Sequence, residues 1–489
     1  MNIRLASLLT LGMLGTMVFA ILATVALFFG FLDFVTLLGL TILVNAASWL
    51  LAPYANDLLY RLLYKMRFCG EEEFRASAPE LAEFIARVCA ENKIKFPKIG
   101  IIEDDNPTAF TYGSYPSNAR LVFSQGIFVY LEADEAEAVV AHELGHIVHW
   151  DFAVMTLANT LVQMLYEIYA VLAKSNRKRR NDKNSGLLAY VGLISYVFYV
   201  IATYVLLLLS RSREYYADEF SAKTTGRPND LSSALIKIAY GMVTLESDTR
   251  SKRLLESTRA IGIMDPRSAK GVGMISRLPG EVGSVLAFDF VSPWAGIMEL
   301  NSTHPLTGKR IKRLDDLAVL AGREKSYDIP GIINGMSIDK KRLYSGFCLG
   351  VFVYVLPAIA IASGFLLAML YGSFRFLFFF WGGALIFQAL YKFSSGRVRS
   401  ASLKDLMSDI YASPVRGEKV ALRGKIIGRG EAGAYVSEDL MFQDPTGIIY
   451  LDYSSKLGRL GNLFFALKKV MGLVGQEAEA EGWFFRGNY

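Results

Sequence analysis

Long runs without a charged residue constrain this 489-residue chain most strongly. Residues 5–32 carry no charge, residues 34–56 carry none, and only Asp33 separates the two runs. Since a helix needs about 20 apolar residues to cross a bilayer, residues 1–56 are predicted to form a transmembrane hairpin. A cleaved signal peptide is the alternative for the first run. It is disfavoured because the run is too long and a second one follows at once.

Further apolar runs extend this pattern to six predicted spans. Residues 152–173 contain a single charge, Glu167, and residues 184–210 contain none, which predicts an embedded pair of hydrophobic helices. A Glu inside a span usually faces a polar cavity, so Glu167 is predicted to line a chamber. The alternative is that the helices of residues 152–173 and 184–210 do not fully cross the bilayer. Residues 343–392 predict a C-terminal hairpin whose second helix is short, about 24 Å at 1.5 Å per residue.

Composition supports an integral membrane protein with its soluble part in the cytoplasm. Hydrophobic residues make up 53% of the chain and the mean hydropathy is +0.31, which excludes an ordinary soluble enzyme. Lys and Arg flank most of the runs on the side of residues 57–342, so this region and both termini are predicted to be cytoplasmic. The basic loop 174–183 conflicts with that orientation. The modest net charge of +6 predicts the lipid bilayer, not nucleic acid, as a partner.

A metal-binding pattern lies on a predicted helix that begins near Asp134. In His142-Glu143-Leu144-Gly145-His146, helical spacing places the two histidines one turn apart on one face, where they can share a zinc ion. Glu143 lies about 100° around the helix, where it can activate a water without being a ligand. Three of the four histidines in the chain fall between positions 142 and 149, which disfavours coincidence.

The third ligand of a single zinc ion must come from another segment. Position 152 is Phe, which excludes a metzincin-type third histidine, and His149 is interpreted as a neighbour of the site. Glu214 and Asp218 stand four residues apart, on one face of a second predicted helix. Glu214 is therefore predicted to be the third ligand, and Asp218 to hold a ligand histidine in the correct tautomer.

The segments HELGHIVHWD and REYYADEFSA resemble the integral-membrane metalloendopeptidases of the HtpX and CAAX-prenyl-protease type. The resemblance covers about residues 35–320. It implies an α+β zincin-like (gluzincin) metallopeptidase domain over residues 57–342, which cleaves membrane or misfolded proteins as HtpX-like quality control. Cleavage at a prenylated C-terminal motif stays open as the alternative. A rival from another class is a non-catalytic membrane scaffold that recruits partners through its C-terminal region.

Two further segments add site residues through the same resemblance. Ser302–Ile311 resembles the family's THP…R element, which implies that His304 and Arg310 bind substrate or the charged tetrahedral intermediate. Thr108-Ala109-Phe110-Thr111-Tyr112-Gly113 resembles the NAFAxG segment, although Thr108 replaces the usual Asn. An extended substrate is expected to pair with this segment as an added strand, so Thr108, Ala109 and Phe110 are predicted to bind it.

Short strand patterns occur on both sides of the central region. Segments 98–102, 109–112 and 119–123 predict a small β-sheet ahead of the zinc helix. The insertion 247–289 is rich in Gly, Ser and isolated charges and has no assigned function, with a mobile loop over the cleft as the one interpretation left open. Residues 400–489 combine strands, one helix near 461–470 and the turn Asp444–Gly447, which predicts a small β-rich, OB-like domain. Its balanced charge favours a structural or protein-binding module. The run Trp483-Phe484-Phe485 is interpreted as its core.

Overall fold

The computed structural model describes residues 3–29, 34–178, 185–245, 262–264, 279–429, 438–455 and 457–487. The helices are α1 (Ile3–Phe29), α2 (Phe34–Tyr64), α3 (Glu71–Ser77), α4 (Pro79–Glu91), α5 (Gln125–Tyr130), α6 (Ala133–Val148), α7 (Asp151–Lys178), α8 (Ser185–Thr225), α9 (Pro228–Leu245), α10 (Pro279–Leu286), α11 (Phe288–Val291), α12 (Pro293–Leu300), α13 (Thr307–Leu320), α14 (Ile329–Gly335), α15 (Lys340–Tyr371), α16 (Arg375–Lys392), α17 (Leu403–Met407), α18 (Gly458–Lys468) and α19 (Val470–Leu473). The strands are β1 (Arg67–Cys69), β2 (Lys98–Ile102), β3 (Ala109–Tyr112), β4 (Arg120–Ser124), β5 (Arg399–Ser400), β6 (Glu418–Arg429), β7 (Leu440–Gln443), β8 (Ile448–Leu451) and β9 (Glu477–Phe484).

The N-terminal sheet has the strand order β1-β2-β4-β3, which leaves β3 at one edge. Strands β2 and β4 are parallel, and β3 runs antiparallel to β4 with Phe110 opposite Val122. The three predicted strands lie where their alternating pattern places them. Strand β1 was not predicted, because three residues are too few for such a pattern to show.

Helix α6 lies within the largest apolar core of the described residues. It begins with a capping box, in which the side chains of Glu132 and Glu135 each accept a backbone N–H of the other residue. Its inner face shares one apolar cluster with α4, α9 and the sheet, including Ile85, Leu121 and Leu144. The helix ends at Val148, and the chain then turns sharply through Trp150 (φ 61°) into α7.

Helix α8 is one continuous helix of 41 residues. It contains both the predicted hydrophobic segment 184–210, from Ser185 onwards, and the predicted ligand segment. Its apolar half packs against α1 and α7 through a cluster that includes Leu14, Leu165 and Ala202. A single rigid element therefore connects the apolar part of the chain with the candidate site.

Two helical segments in the described part of the chain are long and apolar enough to cross a membrane: Tyr190–Thr225 and Lys340–Tyr371. This criterion concerns length and composition only. The six-span count and the cytoplasmic orientation therefore stay predictions. The Glu167 side chain, on which the predicted chamber depends, and residues 179–184 of the basic loop lie outside the described residues.

The C-terminal segment forms a second sheet in the order β5-β6-β7-β8, with β9 paired to β6. The predicted turn is present: Asp444 Oδ1 accepts the backbone N–H groups of Thr446 (2.7 Å) and Gly447 (2.8 Å). Barrel closure, and with it the OB-like assignment, stays a prediction.

The interpretation of Trp483-Phe484-Phe485 as core was wrong in part. Phe484 is buried in the C-terminal core, but Trp483 is 41% exposed. The rings of Trp483 and Phe485 instead contact Phe393, just after α16. The reason is that neighbouring residues at a strand end point to opposite faces.

The C-terminal sheet packs directly on α9 and on residues near α11. The Tyr450 hydroxyl donates to the carbonyl oxygen of Val243 at the end of α9 (2.7 Å), and Val243 packs against Met441 and Ile448. On the other side, the buried Arg486 guanidinium lies 4.7 Å from the centroid of the Phe288 ring. The predicted domain boundaries stay predictions, but the two regions share buried contacts.

Candidate active site

Three side chains converge between α6 and α8. The Nε2 atoms of His142 and His146 are 3.2 Å apart, as expected for two histidines one helical turn from each other. The carboxylate of Glu214 lies beside both, with one oxygen 3.5 Å from His142 Nε2 and the other 3.6 Å from His146 Nε2. Ligands about 2.0–2.1 Å from a tetrahedral zinc ion are about 3.4 Å apart, so this donor set fits such an ion.

A carboxylate behind each histidine orients its ring. Asp218 Oδ1 lies 3.0 Å from Nδ1 of His142, and Asp151 Oδ2 lies 2.7 Å from Nδ1 of His146. A proton held on Nδ1 leaves Nε2 free to donate its lone pair. This is the arrangement by which proteins fix the tautomer of a metal-ligating histidine.

The surrounding charges favour a cation in this pocket. Burial alone would lower the pKa of His142, but Asp218 and Glu214 raise it above its usual range. Burial likewise lowers the pKa of His146, whereas Asp151, the charge of Glu214 and that of Glu143 outweigh it and raise the pKa to about 9. The site therefore stabilises positive charge despite being buried.

Glu143 is fully buried next to these ligands. Its carboxylate and the two histidines place their ligating atoms within 4.8 Å of one another. Neither oxygen of Glu143 forms a hydrogen bond of good geometry among the described residues. Burial raises the pKa of Glu143, although the charges of His146 and His142 and a contact with the Thr111 side chain oppose the shift. A buried carboxylate without partners is costly, so its position calls for a water or a substrate group beside it.

The structure also brings His304 and Arg310 to the pocket. His304 Nε2 lies 3.6 Å from Glu214, and Arg310 Nη1 lies 3.7 Å from the same carboxylate. Arg310 additionally donates two hydrogen bonds to Asp218 (2.9 and 2.6 Å), and both of these side chains are buried. The roles assigned to these residues stay predictions, but all of them occupy one site.

The three predicted substrate-binding residues, Thr108, Ala109 and Phe110, differ in whether they could still contact a substrate. Thr108 uses its N–H and C=O on Ser124, so its main chain is already paired within the sheet. The Phe110 ring is fully buried and lies 5.3 Å from that of Tyr60. Of the three predicted residues, Ala109 is the one whose carbonyl points away from the sheet, where it accepts the N–H of Ile263 (3.1 Å).

Sequence reasoning missed Asp151 and Arg213. Arg213 donates to Asp151, to the His149 carbonyl (2.8 Å) and to Ser7 Oγ (2.6 Å), and thereby holds the carboxylate behind His146. The available signal was an acidic residue five positions after His146. It was overlooked because only the turn at Trp150, with its positive φ, returns Asp151 to the histidine.

Comparison with known proteins identifies the family. The pattern of Peptidase family M48 matches residues 75–318. The chain is similar to a Pyrococcus abyssi protein named Protease HtpX homolog, with 32% identity over 279 residues, which are 56% of this chain and 84% of the relative. The chain belongs to peptidase family M48. The resemblance noted from the HELGHIVHWD segment is thereby confirmed, and this M48 protein is a metalloprotease.

A further curated protein and a solved structure are similar to this M48 protein. A Methanosarcina mazei protein named Protease HtpX homolog 2 is 29% identical over 312 residues, which are 63% of this chain and 96% of the relative. The crystal structure of S. mikatae Ste24p is similar at a TM-score of 0.37 and 18% identity, over 64% of this chain and 65% of that one.

Proposed function

We propose that this M48 protein is a zinc-dependent membrane endopeptidase of the gluzincin type, with one zinc ion per chain. The observation that carries the proposal is the convergence of His142, His146 and Glu214, whose facing atoms are 3.2–3.6 Å apart. The carboxylates of Asp151 and Asp218 lie behind the two histidines. A zinc ion held there would supply Lewis-acid polarisation of the scissile carbonyl and would acidify water.

Glu143 acts as the general base in this proposal. Its carboxylate takes a proton from the attacking water as the new C–O bond forms, and later delivers a proton to the amine as the C–N bond breaks. The lack of a hydrogen-bond partner for Glu143 among the described residues supports this role.

His304 and Arg310 act on the charge that develops at the carbonyl oxygen. Both lie within 4 Å of Glu214 and therefore beside the reacting centre. Hydrogen-bond donors at such a position are worth much more in the transition state than in the ground state. Arg310 has a second, positioning role, because it also fixes Asp218 behind His142.

The proposed substrate is an extended segment of a membrane or misfolded protein. The edge position of β3 supports it, since an edge strand can bind a peptide through main-chain hydrogen bonds of low sequence selectivity. The two apolar helical segments support a location in the bilayer. The Lys and Arg residues that flank the apolar runs support an orientation with the catalytic part of residues 57–342 in the cytoplasm. The similarity to Protease HtpX homologs supports quality control as the role. The OB-like domain would serve as a structural or protein-binding module.

Substitutions in the site test the assigned roles. Glu143→Gln should abolish cleavage of an unfolded polypeptide while bound zinc stays at one per chain, because only the base is lost. Glu214→Ala should lose zinc and activity together, because a ligand is lost. Glu219→Gln, on the solvent side of the same helix, is the matched control and should keep both. A Glu214→Ala protein that binds zinc as tightly as the parent would show that another residue is the ligand.

A further inference from the structure

Residues Gly262–Met264 lie along the free edge of β3. Gly262 forms an antiparallel bridge with Phe110, and the Ile263 N–H donates to the carbonyl of Ala109 (3.1 Å). These contacts extend the sheet beyond its edge strand by a short piece of the same chain. An edge strand has one outward row of N–H and C=O groups, so it pairs with one strand at a time.

The same segment also accepts hydrogen bonds from His304 and Arg310, the two side chains that the proposed mechanism assigns to substrate. His304 Nε2–H donates to the Gly262 carbonyl (2.7 Å), and Arg310 Nη1–H donates to the Ile263 carbonyl (2.6 Å). Both acceptors are main-chain oxygens, as they would be in a substrate of any sequence. The same His304 nitrogen lies 3.6 Å from Glu214, so His304 links Gly262 to the candidate metal pocket.

Apolar burial completes this set of contacts. Ile263 is 0% exposed and Met264 is 3% exposed. Both belong to the apolar cluster that includes Ala109 and Leu144, the residue after Glu143 on the zinc helix. Edge pairing, contacts to His304 and Arg310, and burial of aliphatic side chains are what an extended peptide would need at this site.

We propose that Gly262–Met264 occupies the strand position that an extended substrate takes on β3, so that substrate binds by displacing the chain's own segment. This inference rests on the proposed function and adds regulation to it. It also specifies a ligand class: an extended peptide with a small residue opposite Phe110, followed by two aliphatic side chains. Removing the segment from the edge should raise apparent affinity for substrate without changing the chemistry.

The first test removes one main-chain hydrogen bond from the segment. Ile263→Pro lacks the N–H that donates to Ala109. With a fluorogenic peptide substrate and zinc-loaded full-length protein, KM should fall about 3- to 10-fold, the usual effect of one hydrogen bond, while kcat stays within about twofold. Ile263→Val keeps the N–H and should match the parent. A folded, zinc-loaded Ile263→Pro protein with an unchanged or higher KM would overturn the proposal.

A peptide in trans provides the second test. The hexapeptide Ala-Ile-Gly-Ile-Met-Asp, which repeats residues 260–265, should inhibit competitively and more strongly in Ile263→Pro than in the parent. The same peptide N-methylated at its second isoleucine lacks the pairing N–H and should inhibit at least several-fold less. Equal inhibition by both peptides, or inhibition that substrate does not relieve, would contradict competition for the edge.

Hydrogen exchange covers the case in which Ile263→Pro does not fold. In Glu143→Gln, saturating hexapeptide should speed amide exchange at Ile263 while β3 stays protected. Unchanged exchange at Ile263 with the peptide bound would overturn the proposal. A zinc-loaded parent protein that cleaves no peptide would instead overturn the proposed function itself. If the parent cleaves peptides but the expected changes in KM, inhibition and exchange are absent, only the proposed displacement of Gly262–Met264 is overturned.

Discussion

The carboxylate of Asp151 lies 2.7 Å from Nδ1 of His146, although the helix that carries the histidine has already ended at Val148. The contact depends on the turn at Trp150, where a positive φ directs the first residue of α7 back to the preceding helix. On the opposite side, Asp218 approaches His142 from α8. His142 and His146 thus each have their own carboxylate, supplied by a different element.

Asp151→Asn should weaken metal binding about 10- to 100-fold, since the amide oxygen can still accept a hydrogen bond from His146 but carries no charge. The variant should also be less stable, because the buried Arg213 guanidinium loses its charged partner. Competition with a chelator of known zinc affinity measures the change in metal binding. Asp316→Asn, on the exposed side of α13, is the control and should bind zinc like the parent. Parent-like zinc affinity in Asp151→Asn would show that this carboxylate does not tune the histidine.

Arg310→Met should destabilise the protein as well as slow it, because it leaves Asp218 charged and buried without its guanidinium partner. The expected loss is about 3–5 kcal/mol, and adding Asp218→Asn should recover part of it. Arg313→Met, on the same helix, breaks a half-exposed pair with Glu219 and should cost about 0–1 kcal/mol. Chemical denaturation in detergent measures the stability of Arg310→Met, of the double variant with Asp218→Asn, and of Arg313→Met. Similar losses for Arg310→Met and Arg313→Met would contradict the prediction.

Protonation of the buried Asp289 carboxyl should make the folded protein more stable in mild acid than at neutral pH. Burial raises its pKa from 3.8 to about 6, although the Gly308 N–H and the charge of Arg486 oppose the shift. The folded protein therefore holds this proton more tightly than the unfolded chain. The stabilisation that this proton provides is fully present below about pH 4 and is lost as the pH rises through about 6. The total loss in the free energy of unfolding is at most about 3 kcal/mol.

The variant Asp289→Asn isolates this effect. Relative to the parent, its denaturation midpoint should improve between pH 4.5 and pH 7.5. The difference between the two proteins is the measured quantity, because other groups titrate in both. A parent-to-variant difference that does not change with pH would show that Asp289 ionises normally in the folded protein.

Gly145→Ala should separate α6 and α8, the two helices that carry the proposed metal ligands. A Cβ at this position would lie 3.2 Å from Phe220 and 3.3 Å from the Ala217 backbone, closer than ordinary contacts. We expect a loss of about 1–3 kcal/mol in stability, together with weaker zinc binding. Gly296→Ala, in α12, meets no atom within 4 Å and is the matched control. Unchanged zinc affinity in Gly145→Ala would show that the helices can adjust.

Local patterns in the sequence predicted much of the site. The spacing of His142 and His146, and of Glu214 and Asp218, fixes each pair on one helical face before any tertiary contact is known. The strands before α6 were also recognisable, because alternation of apolar residues is a local property. These predictions need only the geometry of a single element.

What could not be predicted depends on contacts between distant segments. Asp151 reaches His146 only through an unusual backbone angle at Trp150, which residue type does not suggest. The pairing of Gly262 with Phe110 joins residues more than a hundred positions apart, and nothing in the composition of the insertion indicates it. Likewise, the apolar run Trp483–Phe485 could not show which rings face the core and which face Phe393.

The continuity of α8 sets a length scale for the proposed reaction. Ser210 ends the uncharged stretch and Glu214 follows four residues later on the same unbroken helix, about 6 Å along its axis. If the uncharged stretch lies in the bilayer, the reacting centre is fixed within about one helical turn of its surface. Bonds in the first few residues outside the membrane would then be cut most readily, and a tightly folded domain anchored there would have to unfold locally to reach the zinc.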